Sequence, residues 1–212
     1  MNFFAMFIAV IVVFAILVIS ELGLRRGWLK GEVGRKFVHI FVGTFVAFWP
    51  FFMGWDEIRL ISIAFFLGVV LAFRLGVFRA VSTYQRPTYG EVLFALSVGF
   101  LTLITQSKGV YAAAILQMAV ADGFAAIIGK NWGKTNSYKV WSSQKSFVGT
   151  ATFLVLSLTI LVGYSLFSDN GLAVQYILLG SIAATIVENC VSLGLDNLFV
   201  PAIIGILLQS VA

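Results

Sequence analysis

The sequence predicts an all-α polytopic bundle that crosses a membrane about seven or eight times, and three observations carry that prediction. The chain of 212 residues is 60% hydrophobic and only 11% charged, with a mean hydropathy of +1.02, well beyond what a soluble domain carries. Its apolar stretches, such as Ile8–Val18, are apolar on every side, whereas the strands of a membrane barrel alternate polar and apolar residues. The residues able to do chemistry gather in four stretches, 21–39, 74–91, 122–149 and 188–201, so the bundle is expected to keep its active-site motifs at one membrane face.

Taken in order, apolar runs are predicted at about residues 3–19, 37–53, 58–75, 92–106, 110–129, 147–167, 172–190 and 198–211, the last one short. The first begins almost at Met1 without a basic leader, so it reads as a retained span and not a cleaved signal. No internal repeat or linker divides the chain, and residues 1–212 are expected to form a single domain. Cys190, alone and inside a span, excludes an intramolecular disulfide and reads as packing.

Orientation follows from the basic residues. With the N-terminus outside, the inside loops carry Arg25, Arg26, Lys30, Arg35 and Lys36, then Arg74, Arg79 and Arg86, then Lys130, Lys134, Lys139 and Lys145. The outside loops hold only Arg59 and Lys108. The positive-inside rule therefore places all four polar stretches at the cytoplasmic face of the cell membrane. The formal net charge of +5 then belongs to that surface, where it attracts anionic lipid or a nucleotide, and gives no reason to expect a nucleic-acid partner.

The first stretch places Arg35, His39 and Gly43 at successive i, i+4 positions, lining one stripe of a helix with a cation, an imidazole and a gap. With Lys36 these residues are candidates for phosphate binding, and His39 for catalysis. The alternative is that Arg35 and Lys36 anchor a span while His39 bonds a neighbouring helix. In the second stretch, Pro87 and Gly90 shape a turn before Glu91, which is either catalytic or a carboxylate capping the next helix. The third stretch puts Asp122 within a span, where an aspartate is costly unless it binds a metal or pairs with a lysine. Gly129, Gly133, Lys134 and Thr135 suggest a Walker loop, but that motif needs four residues between its glycines and here there are three. Lys134, Lys145 and Ser146, with Gly149 and the free amides opening the next helix, form a different candidate phosphate site. In the fourth stretch Glu188, Asp196 and Asn197 offer oxygen ligands suited to magnesium, although Asn197 is equally readable as a turn or cap residue.

In order and spacing these clusters resemble the CTP-dependent lipid-alcohol kinases, the group of dolichol, phytol and CTP-using diacylglycerol kinases. Arg35-Lys36-x-x-His39 is similar to the family's first motif and Tyr89-Gly90-Glu91 to its second. Asp122-x-x-Ala125-x-x-x-Gly129, Gly133-Lys134 and Lys145-Ser146-x-x-Gly149 resemble its nucleotide-associated core, and Glu188 with Asp196-Asn197-x-x-x-Pro201 its closing motif. The resemblance covers about residues 21–205 and implies transfer of a phosphoryl group from CTP, with Mg2+, to a membrane lipid alcohol. It implies Asp122, Glu188, Asp196 and Asn197 as metal ligands, and Lys134, Lys145 and Arg35 on phosphates. His39, Glu91 or Glu188 would accept the hydroxyl proton, and the sequence does not choose among them. Val148 stands where family members often carry an acid, so its role would fall to Asp122, Glu188 or Asp196. A phosphatidate cytidylyltransferase would carry a His-Gly-Gly run that is absent after Lys145. A small transporter would spread its polar groups through the membrane's depth.

Overall fold

A computed structural model describes residues 2–75, 89–141, 143–169 and 171–211. Arg79, Arg86, Pro87 and Thr88 lie outside the described residues. Eight helices are described: α1 (Phe3–Arg25), α2 (Gly31–Ala47), α3 (Trp55–Leu75), α4 (Gly90–Ile104), α5 (Lys108–Trp132), α6 (Phe147–Phe167), α7 (Val174–Cys190) and α8 (Asp196–Val211). Three of them, α1, α5 and α6, are long and apolar enough to cross a membrane by length and hydropathy. The all-α bundle and the membrane class read from composition both hold.

The way the helices divide their surfaces follows from their sequences. In α1, Ala5, Ala9 and Val13 recur every four residues and are buried, while Phe3, Phe7 and Phe14 are exposed. Small residues thus make the contact and large apolar ones face outward, the pattern expected where the outer solvent is lipid. Asn2 caps this helix, its side chain accepting from the Ala5 amide at 3.1 Å. α5 is the central element: 61% of its most apolar window is buried, against 22% for α1 and α6. It packs on α2, α6 and α8, and its Tyr111, Ile115 and Met118 are fully buried.

α2 differs from its predicted 37–53 span by starting at Gly31. Arg35 and Lys36, which lie before the 37–53 run, therefore ride inside the helix about one turn in, on the same helix as His39. The helix stops at Ala47, and Pro50 sits in the 3-10 turn Trp49–Phe51, as its missing amide requires. The expected loop between the fifth and sixth spans is also more ordered than its composition suggests: β1 (Ser137–Val140) and β2 (Ser143–Ser146) form an antiparallel hairpin. Its register sets Tyr138 opposite Lys145.

The two ends of the bundle have different chemistry. At one end the Asn2 amide donates to the Glu57 carboxylate, Arg59 donates to Oγ1 and the carbonyl of Thr102 at 3.0 Å each, and Thr105 bonds Gln209 at 2.5 Å. Asn2 of the first helix and Gln209 of the last therefore sit at this end. The motif residues occupy the other end and the interior beneath it.

Candidate active site

A widened turn in α5 and two close helix contacts build the centre of the site. Residues Gln117–Ala121 form a π-turn, in which the Asp122 amide reaches back five residues to the Gln117 carbonyl. Such turns leave carbonyls for other donors and recur at functional sites. Here the Met118 carbonyl receives His39 Nε2 at 2.9 Å. α2 can come this close because Gly43 lies against Ala119 and Gly123 against Ile40; a Cβ on either glycine would stand 2.3 Å from the facing side chain.

The same approach brings Lys36 onto Asp122, forming a buried ion pair across 86 positions of sequence. Both residues are about nineteen-twentieths shielded from solvent, with relative exposures of 4% and 5%. His39 Nε2 also lies 3.4 Å from Asp122 Oδ2. Because a carbonyl only accepts, Nε2 carries the ring proton toward Met118, and the neutral ring keeps its lone pair on Nδ1. Asp122 thus pairs with a lysine, one of the two readings that the sequence left open.

A second ion pair joins the hairpin to α7. Lys145 Nζ binds the Glu188 carboxylate and donates to the Glu188 carbonyl at 2.9 Å. Burial works against the lysine's charge, but the carboxylates of Glu188 and Asp196 outweigh it and hold its pKa above the ordinary lysine value. Asp122 lies within electrostatic reach of Lys145, and Asp196 within reach of Asp122, Lys36 and Lys145. The two pairs and Asp196 therefore form one electrostatic cluster. Tyr138, whose role the sequence did not signal, braces it: its hydroxyl meets Thr150 Oγ1 at 2.5 Å and Asn189 Oδ1 at 2.6 Å.

Arg35 and Glu91 stand opposite each other, 3.8 Å apart and both half-buried. Asn197 ties α8 to the start of α4: its Nδ2 donates to the Gly90 carbonyl at 2.8 Å, and Ser97 Oγ donates to the Asn197 carbonyl at 2.5 Å. That carbonyl is available because Pro201, four residues on, has no amide to offer it. The Asn197 Oδ1 atom is buried without a hydrogen-bond partner.

The glycines of the third motif lie in close helix contacts. A Cβ on Gly129 would meet Ser146 Oγ at 2.8 Å and Gly149 Cα at 3.1 Å, one on Gly149 the Ala125 carbonyl at 3.0 Å, and one on Gly133 the Ser146 Oγ at 2.2 Å. They seat α6 on α5. Ser146 caps α6 itself, accepting from the Gly149 amide at 3.1 Å, so its hydroxyl and one of the first-turn amides are engaged. Lys134 is exposed on the 3-10 turn Lys134–Asn136, and Val148 is half-buried in the first turn of α6.

Beside the cluster lies a cavity of about 280 Å³ between α1, α2, α3 and α4. Its polar end carries Arg35, His39, Glu91 and Asn197. Its body is apolar, lined by side chains that include Val13, Leu17, Val42 and Phe65. Glu188 is not among the described lining residues. The α1 and α3 contributions had no signature in the sequence, because Val, Leu and Phe look alike whether they line a cavity or a lipid belt.

No family model matches the chain, and no solved structure matches it. Over 195 aligned residues it is 33% identical to phytol kinase of Synechocystis sp., an alignment covering 88% of this chain and 82% of that protein.

Proposed function

The chain belongs to the family of lipid-alcohol kinases that includes phytol kinase, and on that footing we propose that it moves the terminal phosphoryl group of a nucleoside triphosphate, with CTP as the favoured donor, onto the hydroxyl of a membrane-embedded alcohol. One observation supports this reading above the rest: an apolar cavity ends in Arg35, His39 and Glu91, and His39 in turn abuts the buried Lys36–Asp122 pair. A chain-bearing alcohol and a phosphate-bearing nucleotide need such a junction between apolar and charged surroundings.

In the reaction the acceptor oxygen attacks the γ-phosphorus, the new P–O bond forms, the bond to the β-phosphate oxygen breaks, and the nucleoside diphosphate leaves. Catalysis is mostly positioning and charge stabilisation. Lys145, Lys36 and Arg35 supply the positive charge for the phosphates. His39 takes the hydroxyl proton on Nδ1, since its Nε2–H is held by Met118 and it lines the cavity, whereas Glu188 is engaged by Lys145 and Glu91 faces Arg35.

Among the described residues no three His, Cys, Asp or Glu side chains converge on a common point. The donor set that is present consists of carboxylates in one another's field, Asp122 with Asp196 and Glu188. That set suits magnesium, which is commonly held by one or two carboxylates together with substrate phosphates. When bound, the ion would neutralise charge on the phosphates. Asp122 and Asp196 would hold it, with the unpartnered Asn197 Oδ1 as a further oxygen.

The test is incubation of purified protein in lipid with γ-labelled CTP or ATP, magnesium and a panel of alcohols. Label is expected in an alcohol monophosphate, with CTP the better donor. Absence of labelled lipid from every alcohol and both donors would overturn the reading.

A further inference from the structure

Among the described residues the cavity has one open side. Of its described lining residues, Gly68 of α3 is exposed, while the others are buried or half-buried. α1 packs on α2 and α3 packs on α4, so that α1 and α3 face each other across the cavity. Gly68 is also unlike most helical glycines of this chain. Gly43, Gly99, Gly123, Gly180 and Gly205 each abut a neighbour that an added Cβ would crowd, whereas a Cβ on Gly68 would meet nothing within 4 Å among the described residues. A glycine inside a helix gives up side-chain contacts and helix propensity, and here no close packing among the described residues accounts for it. Gly163 of α6 is equally unencumbered, but it is not among the residues lining the cavity.

We infer that the gap at Gly68 is the lateral portal through which the hydrocarbon chain of the acceptor alcohol passes between the bilayer and the cavity, which makes Gly68 a specificity-determining position. The inference rests on the kinase reading for the identity of the occupant. The alcohol enters hydroxyl first toward Arg35, His39 and Glu91, and its chain runs past Val13 and Phe65 to leave at Gly68. The geometry favours a lipid occupant because the body of the cavity is apolar, its polar groups are confined to the far end, and the open side belongs to a helix whose Ile63, Leu67 and Leu71 are exposed apolar residues of the bundle's outer surface. A water-soluble substrate would gain nothing from such an entrance.

The experiment compares Gly68→Trp, Gly68→Ala and the control Gly163→Trp, each reconstituted in lipid, on a long-chain isoprenoid alcohol and on a short, water-soluble prenol. Gly68→Trp is expected to lower kcat/KM for the long-chain alcohol roughly tenfold or more, to spare the short prenol, and to leave the nucleotide KM unchanged. Gly68→Ala should show a smaller loss of the same kind, and Gly163→Trp none. A Gly68→Trp enzyme that keeps wild-type kinetics on the long chain, or loses both alcohols equally while remaining folded, overturns the portal. A binding measurement separates this from failure of the kinase reading: a long-chain alcohol carrying a mid-chain diazirine is photolysed with the wild-type protein. Crosslinks should fall on the peptides around Val13, Leu17, Phe65 and Val69. Crosslinks confined to other helices overturn the portal whether or not any alcohol is phosphorylated.

Discussion

Lys36 and Asp122 form a buried ion pair that joins α2 to α5, so neither residue can be changed without stranding a charge in the bundle. Removing one partner of such a pair costs roughly 3–5 kcal/mol, while replacing both by apolar residues of similar size is often neutral or stabilising. Lys36→Met and Asp122→Leu should each lower thermal stability in detergent, and the double variant should recover most of that loss. All three should be inactive if the pair serves phosphoryl transfer. A double variant that is both stable and active would reduce the pair to a structural tie.

Lys145 is held between the Glu188 side chain and backbone carbonyl. Its charge acts on phosphates in the proposed reaction, so Lys145→Ala should lower kcat by on the order of a hundredfold or more. Lys145→Arg, which keeps the charge and the pairing with Glu188, should recover part of it. Single-turnover rates on protein shown to be folded by size-exclusion chromatography decide the matter, and near-normal turnover in the alanine variant removes the lysine from the site.

His39 donates Nε2–H to Met118 and so has only Nδ1 for receiving a proton. Protonation of that nitrogen abolishes its lone pair, and the rate should fall as pH drops. His39→Gln should lower kcat and flatten the acid limb of the profile, while the nucleotide KM changes little. An unchanged acid limb in His39→Gln would transfer the proton-accepting role to Glu91.

Gly129, Gly133 and Gly149 seat α6 against α5. Gly129→Val crowds Ser146 and Gly149, and overpacking of this kind typically costs about 1–3 kcal/mol. The expected signature is a lowered Tm, with Gly163→Val as the unaffected comparison. If Gly129→Val keeps its Tm and raises only the nucleotide KM, the glycine belongs to a phosphate site.

Basic residues crowd the motif end of the bundle, and we propose that this end faces the cytoplasm. Lys134 is exposed there and Cys190 is the chain's one cysteine. In a Cys190→Ser background, Lys134→Cys should react with an impermeant maleimide only after the membrane is opened. Labelling in intact cells would reverse the orientation.

The membrane class, the helical architecture and the roster of polar residues are legible in the sequence, because they depend on local quantities: hydropathy over a span, the cost of charge in lipid, and the caps and prolines that end helices. Most helix ends fall within a few residues of the apolar runs, and the exception is α2, whose helix begins at Gly31 and so takes in Arg35 and Lys36 ahead of the run at 37–53. Which polar groups meet is set by the packing of the helices. That Asp122 finds Lys36 across 86 positions, that His39 finds the carbonyl freed by a π-turn, and that the spaced glycines serve helix contact all depend on how closely two particular helices approach. The cavity was hidden for the same reason. Whether an apolar residue faces lipid or lines a pocket is set by what lies opposite it, and no local pattern in α1 or α3 records that.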